Sequence, residues 1–98
     1  VKSNSNYEYP LQTDWSTTDI VAVTALYQRV EDAYELSQGV PAAEIIAAYR
    51  AFQTVVPQKF EEKQLGRDFE KVSGYSIYRT VKQAREQGGK IKMQEARR

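Results

Sequence analysis

The chain has 98 residues, close to the commonest size of one domain, about 100–150 residues, and its 14 basic and 13 acidic residues leave a formal charge of +1 at pH 7, so no self-repulsion opposes collapse. It contains neither cysteine nor histidine, which excludes disulfides, removes the thiolate and imidazole ligands of zinc, copper or haem, and leaves no thiol nucleophile or imidazole base. Leu, Ile, Val and Phe make up about a fifth of the chain, just above the level that, with high net charge, signals disorder.

The polar start, Val1-Lys2-Ser3-Asn4-Ser5-Asn6, is no secretory signal, and no run approaches the roughly 18 apolar residues of a membrane span. A cytoplasmic location is the expectation. Tyr7, Tyr9, Pro10, Leu11 and Trp15 then form an arm too apolar to be left in water, and it is expected to lie against the helices. Trp15 is placed to act as a hydrophobic staple, and Ser16 with Asp19 has capping-box spacing.

Helix one is expected from about Thr17 to Ser37. Ile20, Val23, Tyr27, Val30 and Tyr34 recur at spacings of three and four, Leu26 and Ala33 widen the stripe, and Gln28, Glu31, Asp32 and Glu35 fall on the polar side. Gly39 suits a left-handed stop, and Pro41 the first position of the next helix. Helix two, roughly Pro41 to Val56, carries Ile45, Tyr49, Phe52 and Val56 on one face and Ala43, Ala47 and Ala51 on the other. Apolar on both sides, it is expected in the middle of the bundle, with its alanine row also serving as a contact surface.

Pro57 breaks helix two, so helix three starts afresh near Gln58 and runs to about Val72, with Leu65, Phe69 and Val72 inward. Gly66 inside it costs about 1 kcal/mol relative to Ala, which points to a neighbour passing close. In Ser73-Gly74-Tyr75-Ser76, Gly74 stops helix three, Tyr75 folds back onto it, and Ser76 caps helix four. Helix four carries Ile77, Val81 and Ala84, with Tyr78 alongside, and Gly88-Gly89 ends it. The brief alternation Lys90-Ile91-Lys92-Met93 is a weak strand signal and reads as a flexible basic tail whose Ile91 and Met93 dock. The fold expected is therefore an all-α bundle of about four helices with an extended N-terminal arm, one domain over residues 7–93, with 1–6 and 94–98 as flexible ends.

The ordered blocks Tyr9-Pro10-Leu11, Trp15, Ala48-Tyr49-Arg50, Val56-Pro57-x-Lys59, Glu61-Glu62-Lys63 and Ser73-Gly74-Tyr75-Ser76-x-Tyr78 resemble the YktA-like uncharacterised protein family of small bacterial cytoplasmic proteins. The resemblance spans about Tyr7 to Met93 and implies a helical protein. It brings no catalytic residue, cofactor or ligand.

Two surfaces stand out in the residues themselves. Lys59, Lys63, Arg67 and Lys71 recur every four residues along helix three, with Phe60 projecting into the row. Basic residues interleaved with an aromatic can track a phosphate backbone and stack a base, although Glu61, Glu62, Asp68 and Glu70 bring the helix to zero charge, and a solvated face is the simpler reading. From Ile77 to Arg98 seven basic residues stand against two acidic, a net +5, leaving −4 on the other 76. Such a segment solubilises, or meets nucleic acid or an acidic surface, including the Glu31, Asp32, Glu35 face of another copy. Tyr75 and Tyr78 beside Arg79 and Lys82 would make an aromatic and basic patch suited to a protein partner.

A helix-turn-helix over Phe69 to Ala84 is disfavoured, because its inward positions fall on Thr80 and Gln83 and its small-residue position on Glu70. Catalysis is disfavoured too. Glu31 and Glu35 share an exposed face, Glu61 and Glu62 point in different directions, and Gly88-Gly89-Lys90 is no phosphate loop. The reading that remains is a non-enzymatic interaction module that binds a partner protein or itself, through Ala43, Ala47 and Ala51 or through Tyr75, Tyr78, Arg79 and Lys82. Nucleic-acid binding through Lys59, Lys63, Arg67 and Lys71 together with the basic C-terminal segment is the alternative, and no cofactor, metal or membrane is expected.

Overall fold

The first helix opens where its capping box closes: Asp19 N–H donates to Ser16 Oγ and Ser16 N–H donates to Asp19 Oδ2, each at 3.1 Å. A computed structural model, describing residues 7–94, shows α1 over Thr17–Glu35, β1 over Val40–Pro41, α2 over Ala42–Val55, α3 over Lys59–Ser73, α4 over Ile77–Gln87 and β2 over Lys90–Ile91. The fold is all-α apart from that small pair of strands. Among the described residues no helix is long and apolar enough to cross a membrane. Of the flexible ends expected at 1–6 and 94–98, residues 1–6 and 95–98 lie outside the described residues.

α1 buries Val23, Leu26, Tyr27, Val30 and Ala33, as its periodicity dictates, with Ile20 and Tyr34 at the half-buried margin. Burying each large apolar side chain is worth about 1.5–3 kcal/mol relative to leaving it in water. One residue departs from the pattern: Glu31, expected on the polar side, is only 3% exposed. The arm explains it. Tyr7, Tyr9 and Trp15 pack on the core as anticipated, and the Tyr7 and Tyr9 hydroxyls reach Glu31.

After α1, Gly39 takes φ +76° and turns the chain into β1, which pairs antiparallel with β2 in the register Val40 to Ile91 and Pro41 to Lys90. Pro41 thus precedes α2 instead of opening it. The segment expected as a flexible tail is fixed here. Ala42 N–H donates to Gly89 O and Met93 N–H to Ala33 O, both at 2.7 Å, while Ile91 and Met93 are buried. Two apolar side chains and paired backbone groups hold what four alternating residues only hinted at.

α2 packs against both α1 and α4, the central place expected of it. Its core face is Ile45, Tyr49 and Phe52, followed by Val56, with Ile46 and Ala48 beside them. Ala43, Ala47 and Ala51, by contrast, are all exposed. The helix is central through one broad face, and the alanine row is uncovered.

α3 follows Pro57 and ends at Gly74, φ +84°, as its sequence signals. Leu65 and Phe69 are buried, but Val72 is 42% exposed, since the next core position is supplied across the turn by Tyr75. That ring does not fold onto α3: it stacks on Tyr34 of α1 at 4.3 Å and donates to Glu35 at 2.7 Å. Nor does anything press on Gly66, where a methyl group would meet nothing within 4 Å beyond the adjoining residues and the helix's own backbone. Ser76 caps α4 by accepting from Arg79 N–H at 3.1 Å. Thr80, discounted as a core residue, is fully buried, its hydroxyl closed onto Ser76 O at 2.7 Å.

Candidate functional site

The acidic side of α1 is closed by tyrosines. Glu31 accepts from both Tyr7 and Tyr9, the latter at 2.7 Å, Asp32 pairs with Arg29 at 2.9 Å, and Glu35 accepts from Tyr75. The carboxylates expected on an open face, ready for a basic segment of another copy, are already engaged within the chain. Burial first, and then the hydrogen bond to Glu31, push the Tyr9 phenol well above its ordinary value of 10.0. Tyr27 is raised likewise, by burial and by the charge of Asp68, and its hydroxyl donates to Pro10 O at 2.8 Å. Among the described residues no group of three or more acidic side chains is placed to hold a metal ion. This cluster ties the arm to α1.

A different surface is open. Between α3 and α4 runs a groove of about 770 Å³, with Tyr49 and Phe52 of α2 at its floor. The α3 wall is Lys59, Glu62, Lys63, Gly66, Arg67 and Glu70, one face of the helix at spacings of three, one and three. The α4 wall is Ile77, Tyr78, Val81, Lys82, Arg85 and Glu86. One end is tied across three helices, where Tyr49 Oη donates to Glu62 Oε2 at 2.5 Å and the Arg85 guanidinium lies 5.4 Å from the Tyr49 ring centroid. Burial and the Glu62 carboxylate push the Tyr49 phenol up to about 12, with Arg85 partly opposing them.

Charge within the groove is unevenly used. Lys59 reaches Glu62 at 3.5 Å, and Lys82 reaches Glu86 at 3.1 Å, a contact that raises the Lys82 ammonium above its ordinary value. Arg67 donates to the neutral Gln64 at 3.0 Å. Among the described residues, Lys63, Arg67 and Arg85 make no ion pair. The mouth carries Tyr78, 72% exposed.

Residues 6–92 match the model of a family described as an uncharacterised protein family, UPF0223. The chain belongs to the UPF0223 family. It is 51% identical over 85 residues to the UPF0223 protein of Lactiplantibacillus plantarum, covering 87% of this chain and 86% of the relative. It is also 48% identical over 91 residues to that of Streptococcus pneumoniae strain CGSP14, covering 92% and 97%. The family resemblance drawn from the Ser73 to Tyr78 block and its companions is thereby confirmed.

In this UPF0223 protein the two surfaces read from sequence meet in one place. Lys59, Lys63 and Arg67 from the basic row, and Tyr78 and Lys82 from the aromatic patch, line the same groove. Lys71 is exposed beyond it, Arg79 lies on the other flank of α4, and Tyr75 is buried and so offers no surface. Ala43, Ala47 and Ala51 stand apart on α2. Tyr49 and Gly66 line the groove without having stood out as site residues, and Arg85 stood out only as one of the basic residues of the C-terminal segment. Tyr49 reads in the sequence as an ordinary core ring. Gly66 did give a signal, a helix-interior glycine without a local reason.

Proposed function

We propose that this UPF0223 protein is a non-enzymatic, cytoplasmic interaction module that binds another protein through the groove between α3 and α4. The observation that carries this reading is the groove itself: an apolar floor, a mixed charged rim and an exposed tyrosine at its mouth, within the ~300–1,000 Å³ usual for binding pockets. Aromatic and arginine side chains flanking apolar floors are the composition of protein contacts. Glu31, the one buried carboxylate among the described residues, has both oxygens occupied by phenols and does not line the groove, which speaks for a structural part and against acid–base chemistry. The alanine row of α2 offers a second exposed face.

A photo-crosslinking amino acid placed at Tyr78 in cells tests this. It is expected to give an adduct with a protein, whereas the same probe at Ala47 gives none. Absence of any adduct at Tyr78 overturns the reading, and an adduct at Ala47 alone moves the contact to α2. A second reading, nucleic-acid binding, draws on Phe60, 70% exposed beside Lys59, Lys63, Arg67 and Lys71. It requires affinity for a single-stranded oligonucleotide that falls steeply with salt, by a log–log slope of about −0.7 per phosphate contact. No binding at low salt removes it.

A further inference from the structure

Gly66 stands in the middle of α3, where glycine weakens a helix, yet beyond the adjoining residues and the helix's own backbone no atom lies within 4 Å of where its side chain would be. Interior helical glycines with a structural reason have a neighbour pressed against them. This one has open space, and that space is the groove. Lys63 and Arg67 flank it on α3 and Arg85 stands on the opposite wall, and these three are the groove cations that make no ion pair among the described residues. Glu62 is held by Tyr49 and Lys59, and Glu86 by Lys82, while Glu70 leaves the α3 wall with three cations against two carboxylates. Positive charge is therefore left over on both walls beside a missing side chain.

Resting on the reading of the groove as a protein-binding surface, we propose that its occupant is an acidic amphipathic helix of another protein, with an apolar side chain seated over Gly66 and Val81 and carboxylates reaching Lys63, Arg67 and Arg85. Helix-in-groove recognition needs an apolar seat with charged flanks, and this groove has both. A phosphodiester backbone suits it less, because Glu62, Glu70 and Glu86 interrupt the cations along the walls. A second copy suits it less as well, since the apolar row that α2 leaves uncovered, Ala43, Ala47 and Ala51, carries no large side chain to fill the seat, and Glu31, Asp32 and Glu35 of α1 are engaged within the chain.

The test uses the full chain and two fluorescent peptides of matched length, an amphipathic helix of Leu, Ala and Glu and its counterpart with every Glu replaced by Lys. The acidic peptide is expected to raise anisotropy on addition of protein and to shift the amide resonances of Gly66 and Val81, and the lysine peptide to do neither. Gly66→Gln, which fills the seat with a good helix former, and the double variant Lys63→Glu with Arg67→Glu should each weaken binding by about tenfold or more. Gly66→Ala should bind less tightly than the natural chain while its thermal midpoint stays as high or rises, which separates loss of the seat from loss of the fold.

Equal binding of the two peptides overturns the proposal. So does natural affinity in both Gly66→Gln and the charge-reversed variant, or displacement of the acidic peptide by a single-stranded oligonucleotide that binds more tightly. If the Tyr78 crosslink captures a protein while the acidic peptide does not bind, the partner chemistry is wrong and the groove reading stands. If the crosslink fails too, both fall.

Discussion

Glu31 shows how a carboxylate can be taken out of water by hydroxyl groups. A buried carboxylate is tolerated only if its lone pairs are met, and here phenols from Tyr7 and Tyr9 donate to it. Tyr9→Phe removes one of these bonds to a charged acceptor and should cost about 1.5–3 kcal/mol. The exposed Leu11→Ala in the same arm should change stability by less than about 0.5 kcal/mol. Urea denaturation of the two variants decides it: if Tyr9→Phe is as silent as Leu11→Ala, the Glu31 cluster does not hold the arm. Tyr49 gives a pH test. Its folded value is raised from 10.0 to about 12, by burial and then by Glu62, so below 10.0 both folded and unfolded chains keep the proton and its contribution to stability is complete. Above 10.0 the unfolded chain releases the proton first, and stability falls until the folded phenol also ionises near 12. The urea midpoint should therefore decline as pH rises from 10.0 towards 12, and less steeply in Tyr49→Phe. Tyr9 and Tyr27, raised in the same direction, keep part of the decline in that variant. An unchanged slope would show that the Tyr49 hydroxyl is not bound as described. None of this was legible along the helix: position 31 falls on the polar side of α1, and its partners lie 24 and 22 residues away.

Element ends were far more readable than element partners. Ser16 and Ser76 cap where their spacing places them, and Gly74 stops α3 with a left-handed residue, because a cap is settled by a few adjacent residues. The β1 and β2 pair was hidden, since two residues at each end of a long separation carry no periodicity of their own and gain stability only when paired. Two glycines separate these local and distant causes. At Gly39 φ is +76°, and a side chain would come within 2.5 Å of the Ile91 carbonyl oxygen of β2. Gly39→Ala should therefore cost about 1–3 kcal/mol for the backbone conformation, with a further penalty as β2 is displaced. At Gly66 neither constraint applies, and Gly66→Ala should stabilise the protein by up to about 1 kcal/mol. Chemical denaturation of the two alanine variants should move in opposite directions. A destabilised Gly66→Ala would mean that the open space beside it belongs to the fold. The exposure of the α2 alanine row was hidden for the same reason: one helix's pattern shows which residues are small, and only the neighbours show which face they cover.

Taken as one molecule, the bundle is not evenly joined. α1, α2 and α4 lie against one another, and β2 ties α4 back to β1, but the close backbone neighbour of α3 is α4. From α1 it is held at a distance by rings. Phe69 stacks on Tyr27 at 4.6 Å and 8°, and Tyr7 and Tyr9 meet the same ring at 6.5 and 6.3 Å. Each such ring pair contributes about 0.5–1.5 kcal/mol beyond its buried area, so the N-terminal arm helps to hold α3 to α1. The gap left on its other side is the groove. Free energies of local opening follow such differences in buried contact. The amides of α3 around Leu65 and Phe69 should therefore exchange with deuterium through a partial opening of lower free energy than those of α1 around Leu26 and Val30. Replacing Tyr7 and Tyr9 together by alanine should speed exchange in α3 by a larger factor than in α1, because the rings that bridge α3 to α1 are lost while the α1 and α2 contact is intact. An occupant of the groove should slow exchange in α3 more than elsewhere, since it is stabilised with the helix it touches. Uniform exchange across α1, α2 and α3, unchanged in its pattern by loss of the two tyrosines, would show that α3 opens only with the whole fold and that the arm does not hold it.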